Sequence, residues 1–401
     1  MNSQNSETAT VRAGRRGWAI VLMIALAAAV GQSFGRFSFG ILLPAVRDDM
    51  GVSNTLVGFI SAANVGAYLL ATLAVAWLTS RVRLLQIMRA GLLLATLGLS
   101  IAAVATSAWI LAIGLFVTGI GGALLWIPAP VIAADAMPAN KRSIAVGLMS
   151  SGIGVGVMFV SVLSGALRSN QGDGAWSLVY QIQCAIAVVL LVVILVVVRH
   201  QQHAPSSAGG LGGFAALARM PGWVPLLVVY SAFGFMYLLV MGFITARLED
   251  DSGWSSADAS FAFSVMGCAM IFGGPLFTAV AQRLTVRKTL VFGFGLWPLL
   301  VAIVLSGVPA ITLPACVGLG MLFAALPTLV TLYVVENTSS EDYGPSFAAA
   351  TLAFGIAQTT APPIGGAIAD QSGTFLYVFV LSAVVSGCGF FAALRLPKTA
   401  R

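Results

Sequence analysis

Twelve times along this chain a stretch of about 20 residues passes almost without a charge, long enough to cross a bilayer as a helix rising 1.5 Å per residue. The stretches cover residues 18–46, 55–78, 84–105, 109–134, 144–167, 177–198, 223–247, 257–281, 288–307, 310–335, 345–369 and 375–395. Short polar or Gly/Pro-containing breaks separate them. Only 8% of the 401 residues are charged, against roughly 25% in an ordinary soluble domain, too few to solvate a globular surface. The pattern predicts an all-α membrane protein with the lipid bilayer as its solvent, because a helix satisfies its own backbone groups inside hydrocarbon.

The net charge of +7 does not point to nucleic acid, because the charges alternate in sidedness along the chain. Sixteen of the twenty basic residues fall on one side of the predicted spans, among them Arg15, Arg16, Arg81, Arg83, Lys141, Arg142, Arg219, Arg283 and Lys398; only Arg47, Arg168 and Arg247 fall on the other. Lys and Arg are enriched in cytoplasmic loops, so both termini are expected in the cytoplasm, in agreement with an even number of spans. Cys184, Cys268, Cys316 and Cys388 all lie in apolar spans and read as small packing residues.

The stretch "RHQQHAPSSAGGLGG" between spans 6 and 7 has a linker's composition and falls at the midpoint. Sliding the second half onto the first by 202 residues lays Asp250-Asp251-Ser252-Gly253-Trp254-Ser255 on Asp48-Asp49-Met50-Gly51-Val52-Ser53, Gly242 on Gly40 and Phe261 on Phe59. Asp135 and Glu336 correspond at an offset of 201. The expected organisation is a cytoplasmic tail (1–17), a six-helix bundle (18–198), a cytoplasmic linker (199–222), a second six-helix bundle (223–396) and a short tail (397–401), the two bundles being pseudo-symmetric copies.

Two parallel six-helix halves with a central linker resemble the major facilitator superfamily, and the resemblance covers essentially the whole chain. The superfamily's loop between helices 2 and 3 usually carries an Asp-Arg pair; here Ser80 stands before Arg81, and Gln282 before Arg283 in the second copy. The helix 4 arginine of proton-driven drug exporters is replaced by Gly114 and Leu115. "GRF" at Gly35-Arg36-Phe37, Leu42-Leu43-Pro44, "PPIGGAIADQSG" and the series Gly147, Gly152, Gly154, Gly156 are similar to the bacterial YbfB/YjiJ-type branch, itself similar to monocarboxylate and oxalate/formate transporters. The resemblance implies a monomeric bacterial inner-membrane carrier, working by alternating access, with its substrate held near the midplane between the halves.

Polar residues inside the spans then become the candidate site. Arg36 is the one charge well inside any span, and no Asp or Glu lies at depth to neutralise it. An ionised group in hydrocarbon is costly unless it faces water or a partner. Arg36 therefore either binds backbone carbonyls or an acid such as Asp48 or Asp49, or captures an anionic substrate, for which its guanidinium fork is suited. Counted from Trp18 it falls in the outer half of its helix. Gln32 precedes it by one turn. Asn64 and Tyr68 on helix 2, Trp126 beside Pro128 and Pro130 on helix 4, Tyr230 and Tyr237 on helix 7, and Phe354 and Gln358 on helix 11 are the other candidate lining residues, and for several of them helix packing explains the spacing equally well. Arg81, Asp135, Arg283 and Glu336 occupy matching helix ends and are candidate gating ion pairs.

The reading that follows is a secondary carrier of a small organic anion, a monocarboxylate in first place, with an exporter of amphipathic compounds as the alternative. Both histidines, His200 and His203, fall in the linker, so a proton relay at depth is not expected; the proton travels with the acid, or exchange or downhill transport suffices. An enzyme would need a nucleophile, base or metal ligands at depth. No cofactor is expected.

Overall fold

The structure is a computed structural model and describes residues 17–79, 81–198 and 213–397. Among the described residues there is no strand. The helices are α1 (Gly17–Met50), α2 (Asn54–Leu78), α3 (Leu84–Ala103), α4 (Ala108–Asp135), α5 (Arg142–Gln171), α6 (Trp176–Val197), a short α7 (Gly213–Arg219), α8 (Trp223–Asp251), α9 (Ser256–Leu284), α10 (Val286–Leu305), α11 (Pro309–Asn337), α12 (Ser340–Ser372) and α13 (Leu376–Leu394). Eleven of them are long and apolar enough to cross a membrane by themselves. The twelfth, α12, is as long, but Glu341, Asp342, Gln358, Asp370 and the threonines Thr351, Thr359 and Thr360 dilute its apolarity; it packs between α2 and α8.

Helices α1–α6 form one bundle and α8–α13 the other, and the expected duplication is visible in atomic detail. The two aligned "DD-x-G-x-S" corners fold alike. Gly51 and Gly253 end α1 and α8 with φ of +59° and +67°, a left-handed conformation that favours glycine. Ser53 and Ser255 then cap α2 and α9 by accepting the amide protons of Leu56 and Asp258. Asp49 accepts the indole N–H of Trp176 at the start of α6 at 2.8 Å; its counterpart Asp251 accepts Phe375 N at the start of α13, also at 2.8 Å. At the opposite end Arg89 of α3 donates to the Val198 carbonyl closing α6, and Arg287 of α10 donates to the Leu394 carbonyl closing α13. In each bundle the sixth helix is thus fastened at both ends.

The bundles meet along three seams: α1 with α8, α2 with α12, and α5 with α9. Small residues permit each. Gly40 lies against the backbone of Met241 and of Gly242, its equivalent under the 202-residue offset, where α1 crosses α8, and Thr245 Oγ1 donates to the Gly40 carbonyl at 2.6 Å. Gly58 and Gly366 seat α2 against α12, and Gly154 lies against Gly267 between α5 and α9.

The end of the molecule that holds Arg47, the Arg47 end, is closed by charge as well. Arg47 pairs with Asp48 at 2.7 Å and, across the seam, with Asp250. Arg168 grips Glu249 of the other bundle with both Nη atoms at 2.7 and 2.8 Å and also Asp173 at 2.7 Å. The Asp370 carboxylate accepts the amides of Asn54 and Thr55 at 2.9 and 2.7 Å, at the positive N-terminus of α2. Burial acts to raise this carboxyl's pKa, but the Thr55 and Asn54 donors outweigh it and hold it below the usual aspartate value, so the contact is made by the ionised form at neutral pH.

A Cβ added at Gly40 would overlap the Met241 carbonyl oxygen. Gly40→Val is therefore expected to prevent closure of the Arg47 end while leaving each bundle folded. A label on a cysteine introduced beside the α1–α8 crossing should become reactive in the variant and stay protected in the parent. Equal protection would remove Gly40 from the closure.

Candidate functional site

The site begins with a backbone irregularity. Residues Ala29–Phe37, "AVGQSFGRF", form a π-helix within α1, a wider turn that is rare and frequent at functional positions. Its small residues let it press between α4 and α5: Gly31 lies against Gly122 and Leu125, Gly35 against Thr118, and Ser33 Oγ donates to the Ile153 carbonyl at 2.8 Å. Arg36 is at the end of this segment, and its side chain leads back toward the middle of the membrane span, as side chains on helices do. Its guanidinium thus reaches Tyr237, midway along α8, deeper than the outer-half position that counting from Trp18 suggests.

Three of the candidate residues converge there. Arg36 Nη2 donates both to Tyr237 Oη and to Gln358 Oε1, and Tyr237 Oη donates to Gln358 Oε1 at 2.9 Å. The Tyr68 ring lies 5.2 Å from the guanidinium carbon and the Phe37 ring 5.7 Å, within cation–π range. Helices α1, α2, α8 and α12, two from each bundle, therefore meet on one cation. Every hydrogen-bond partner of that cation is neutral. Asp48 and Asp49, the acids that could have been its partners, are taken by Arg47 and Trp176. Arg36 Nε and Gln32 Nε2 are buried without an acceptor among the described residues, a state that costs about 1–3 kcal/mol per donor. The donor set combines unspent N–H groups and a full positive charge, with no carboxylate among the described residues bonded to it, a combination that a bound anion can satisfy.

Other candidates lie around the cluster rather than in it. Tyr230 stacks on Phe354, ring centroids 4.5 Å apart, about two turns from Tyr237. Asn64 is turned elsewhere: its Nδ2 donates to the Gly35 and Leu115 carbonyls, both at 2.8 Å, and to Thr118 Oγ1 at 2.9 Å. It braces the π segment that carries Arg36. Trp126 is half-buried where α4 breaks at Ile127 and Pro128, packed against the core. Of the gating candidates, Arg81 stacks on Trp77 with its guanidinium carbon 3.9 Å from the ring centroid, and Asp135, Arg283 and Glu336 sit near the ends of α4, α9 and α11, at the same end of the molecule as Arg81. An open, shallow groove of about 570 Å³ between α8, α12 and α13, lined by Leu227, Phe235, Leu381 and Cys388, does not touch Arg36.

The π segment and the rings of Phe233, Phe323 and Phe347 escape a reading of the sequence. Glycine at 31 and 35 around Gln32 and Ser33 was the one available signal for the first. The phenylalanines are indistinguishable by composition from lipid-facing ones such as Phe272, and only their helix face separates them.

Comparison with known proteins agrees with this architecture. Solved structures of a bacterial homologue of the human lysosomal transporter Spinster, in inward-facing unoccupied and occupied conformations, superpose with a TM-score of 0.78 each at 15% identity, covering 94–95% of this chain and 97–98% of theirs. At that identity the likeness speaks for the fold. An MFS-type transporter of Bacillus subtilis (strain 168), YfhI, is 25% identical over 284 residues, 68% of each chain. The family model described as "Uncharacterised MFS-type transporter YbfB" matches residues 28–394, nearly the full length and all but the start of α1 in the two bundles. The chain belongs to this YbfB family of major facilitator transporters.

Proposed function

We propose that the protein is a secondary carrier of small organic anions, a monocarboxylate in first place, moved across a bacterial inner membrane by alternating access. The observation that carries this reading is Arg36: a cation at mid-membrane, shared by both bundles, whose partners Tyr237 and Gln358 are neutral and whose remaining donors are unspent. A carboxylate entering the site neutralises the charge and accepts from the fork. The basic end faces the cytoplasm on the positive-inside rule, placing both termini there and the Arg47 end outside. Closure at the Arg47 end then corresponds to a site open toward the cytoplasm, the conformation in which the Spinster homologue was solved. Arg81, Asp135, Arg283 and Glu336 would pair to close the opposite end when the bundles rock. Each such exposed pair is worth about 0–1 kcal/mol, enough to bias a balanced equilibrium. The carrier acts as a monomer, since one chain supplies both halves of the site.

The test is a thermal-shift panel of small carboxylates and neutral analogues on purified protein and on Arg36→Ala. Stabilisation by carboxylates that disappears in the variant is the expected result. Stabilisation by neutral or cationic amphiphiles in both proteins would sink the anion reading and favour an exporter.

A further inference from the structure

Six aromatic rings form a ladder that ends at Arg36. It starts near the N-terminus of α12, where Tyr343 stacks on Phe347 at 5.9 Å, and continues from Phe347 to Tyr230 at 6.3 Å and from Tyr230 to Phe354 at 4.5 Å. Phe354 in turn stacks on Phe233 at 5.9 Å and on Tyr237 at 6.1 Å. Tyr237 is the residue whose hydroxyl meets Arg36 and Gln358. Along α12 the distance from Tyr343 to Gln358 is about 22 Å. The ladder therefore runs from the basic end of the molecule down to the cation.

Packing alone explains the rear of this ladder and not its front. Tyr230, Phe233 and Tyr237 on α8 are buried, as core aromatics are. Tyr343, Phe347 and Phe354 are only half-buried, yet they do not lie on the lipid side of α12, which is marked by the exposed Ile356 and Ile364. They share the helix face of Gln358, the face turned to Arg36. Ring orientation points the same way. The interplanar angles along the ladder run from 9° to 30°, whereas the flanking contacts of Phe323 with Tyr237 and Phe37 are steep, at 62° and 87°. A set of near-parallel rings with one partly open row is a surface on which another flat ring stacks offset.

We infer that the substrate is a carboxylate bearing a planar aromatic ring, which slides along the ladder from the basic end and delivers its carboxylate to Arg36. This deepens the anion-carrier reading and rests on it for the carboxylate; the ring preference rests on the ladder alone. Stacking provides the apolar part of the substrate with a continuous partner. The guanidinium, held between the Tyr68 and Phe37 rings, provides the terminus.

The experiment measures binding of benzoate, cyclohexanecarboxylate, acetate and benzamide to the purified full chain by titration calorimetry, in the parent and in Phe354→Leu. Benzoate is expected to bind about tenfold more tightly than cyclohexanecarboxylate, a gap matching one or two aromatic pairs. Phe354→Leu, which keeps an apolar side chain of similar size, is expected to erase that gap. Should Phe354→Leu fail to fold, Phe347→Leu is to narrow the same gap. Equal affinity for benzoate and cyclohexanecarboxylate in the parent, or a gap that survives both substitutions, overturns the inference. Benzamide separates the two readings. If it binds as tightly as benzoate and loses affinity in Phe354→Leu, the ladder stands and the anion reading fails.

Discussion

Arg36→Lys is expected to lower carboxylate affinity by at least thirtyfold, and Arg36→Ala by more, with transport in proteoliposomes lost in parallel. The charge survives in the lysine variant, so a site that needed only a positive potential would tolerate it. The geometry says otherwise. Arg36 Nη2 already serves Tyr237 and Gln358, and a substrate carboxylate must be met by other donors of the same planar group. An ammonium has three donors on one atom and cannot hold two neutral partners and present a fork as well. Truncating one member of a buried hydrogen-bonded charge pair costs about 2–5 kcal/mol, or thirtyfold to several thousandfold in affinity. Isothermal titration with the acid selected by the thermal-shift panel measures this, and undiminished affinity in Arg36→Lys would mean that the fork plays no part.

The second large effect is conformational. Arg168→Ala is expected to shift the equilibrium at the Arg47 end toward the open form by about a hundredfold. Its side chain is 2% exposed and that of Glu249 13%, so removing the arginine leaves a nearly buried carboxylate facing Asp173 without its counter-ion. Breaking such a pair from one side costs about 3 kcal/mol, taken at the low end because Glu249 keeps some contact with water. The loss falls on the closed form, since in the open form both partners are hydrated. Distances between spin labels placed at the ends of α5 and α9 report the populations. The double variant Arg168→Met/Glu249→Leu is expected to close again, because apolar replacements of both partners are near neutral. An unchanged distance distribution in Arg168→Ala would show that the ion pair adds nothing to closure.

Much of this architecture is legible in the amino-acid sequence. The apolar runs gave the helices because lipid allows few alternatives. The aligned Asp-Asp-x-Gly-x-Ser corners gave the repeat because one backbone turn needs those residues twice. Arg36 stood out by its cost in hydrocarbon, although counting from Trp18 put it in the outer half of its helix, and helical spacing named Tyr237 and Gln358 as lining residues without bringing them to Arg36. What spacing could not supply was orientation between helices. Asn64 and Tyr68 share a face of α2, yet the first braces a backbone and the second covers the guanidinium. Arg47 and Arg168 looked like loop cations on the poorly charged side; their acids come from the other bundle or from turns, so nothing local revealed them. The π segment depends on packing against α4 and α5, and a helical wheel drawn at 3.6 residues per turn misplaces every residue in it.

The paired clamps on α6 and α13 have a mechanical consequence. A helix pinned at both ends to its own bundle turns a chain of six segments into a hoop, and a hoop resists shear that an open chain would absorb by sliding. Strain introduced at any one helix is passed round its own bundle and emerges at the three seams, where Gly40, Gly58 and Gly154 leave backbones in contact with little side chain between them. If the bundles rock as proposed, they do so as stiff levers on a narrow glycine bearing, and substitutions at the bearing are expected to alter the motion and those on the hoops the stability.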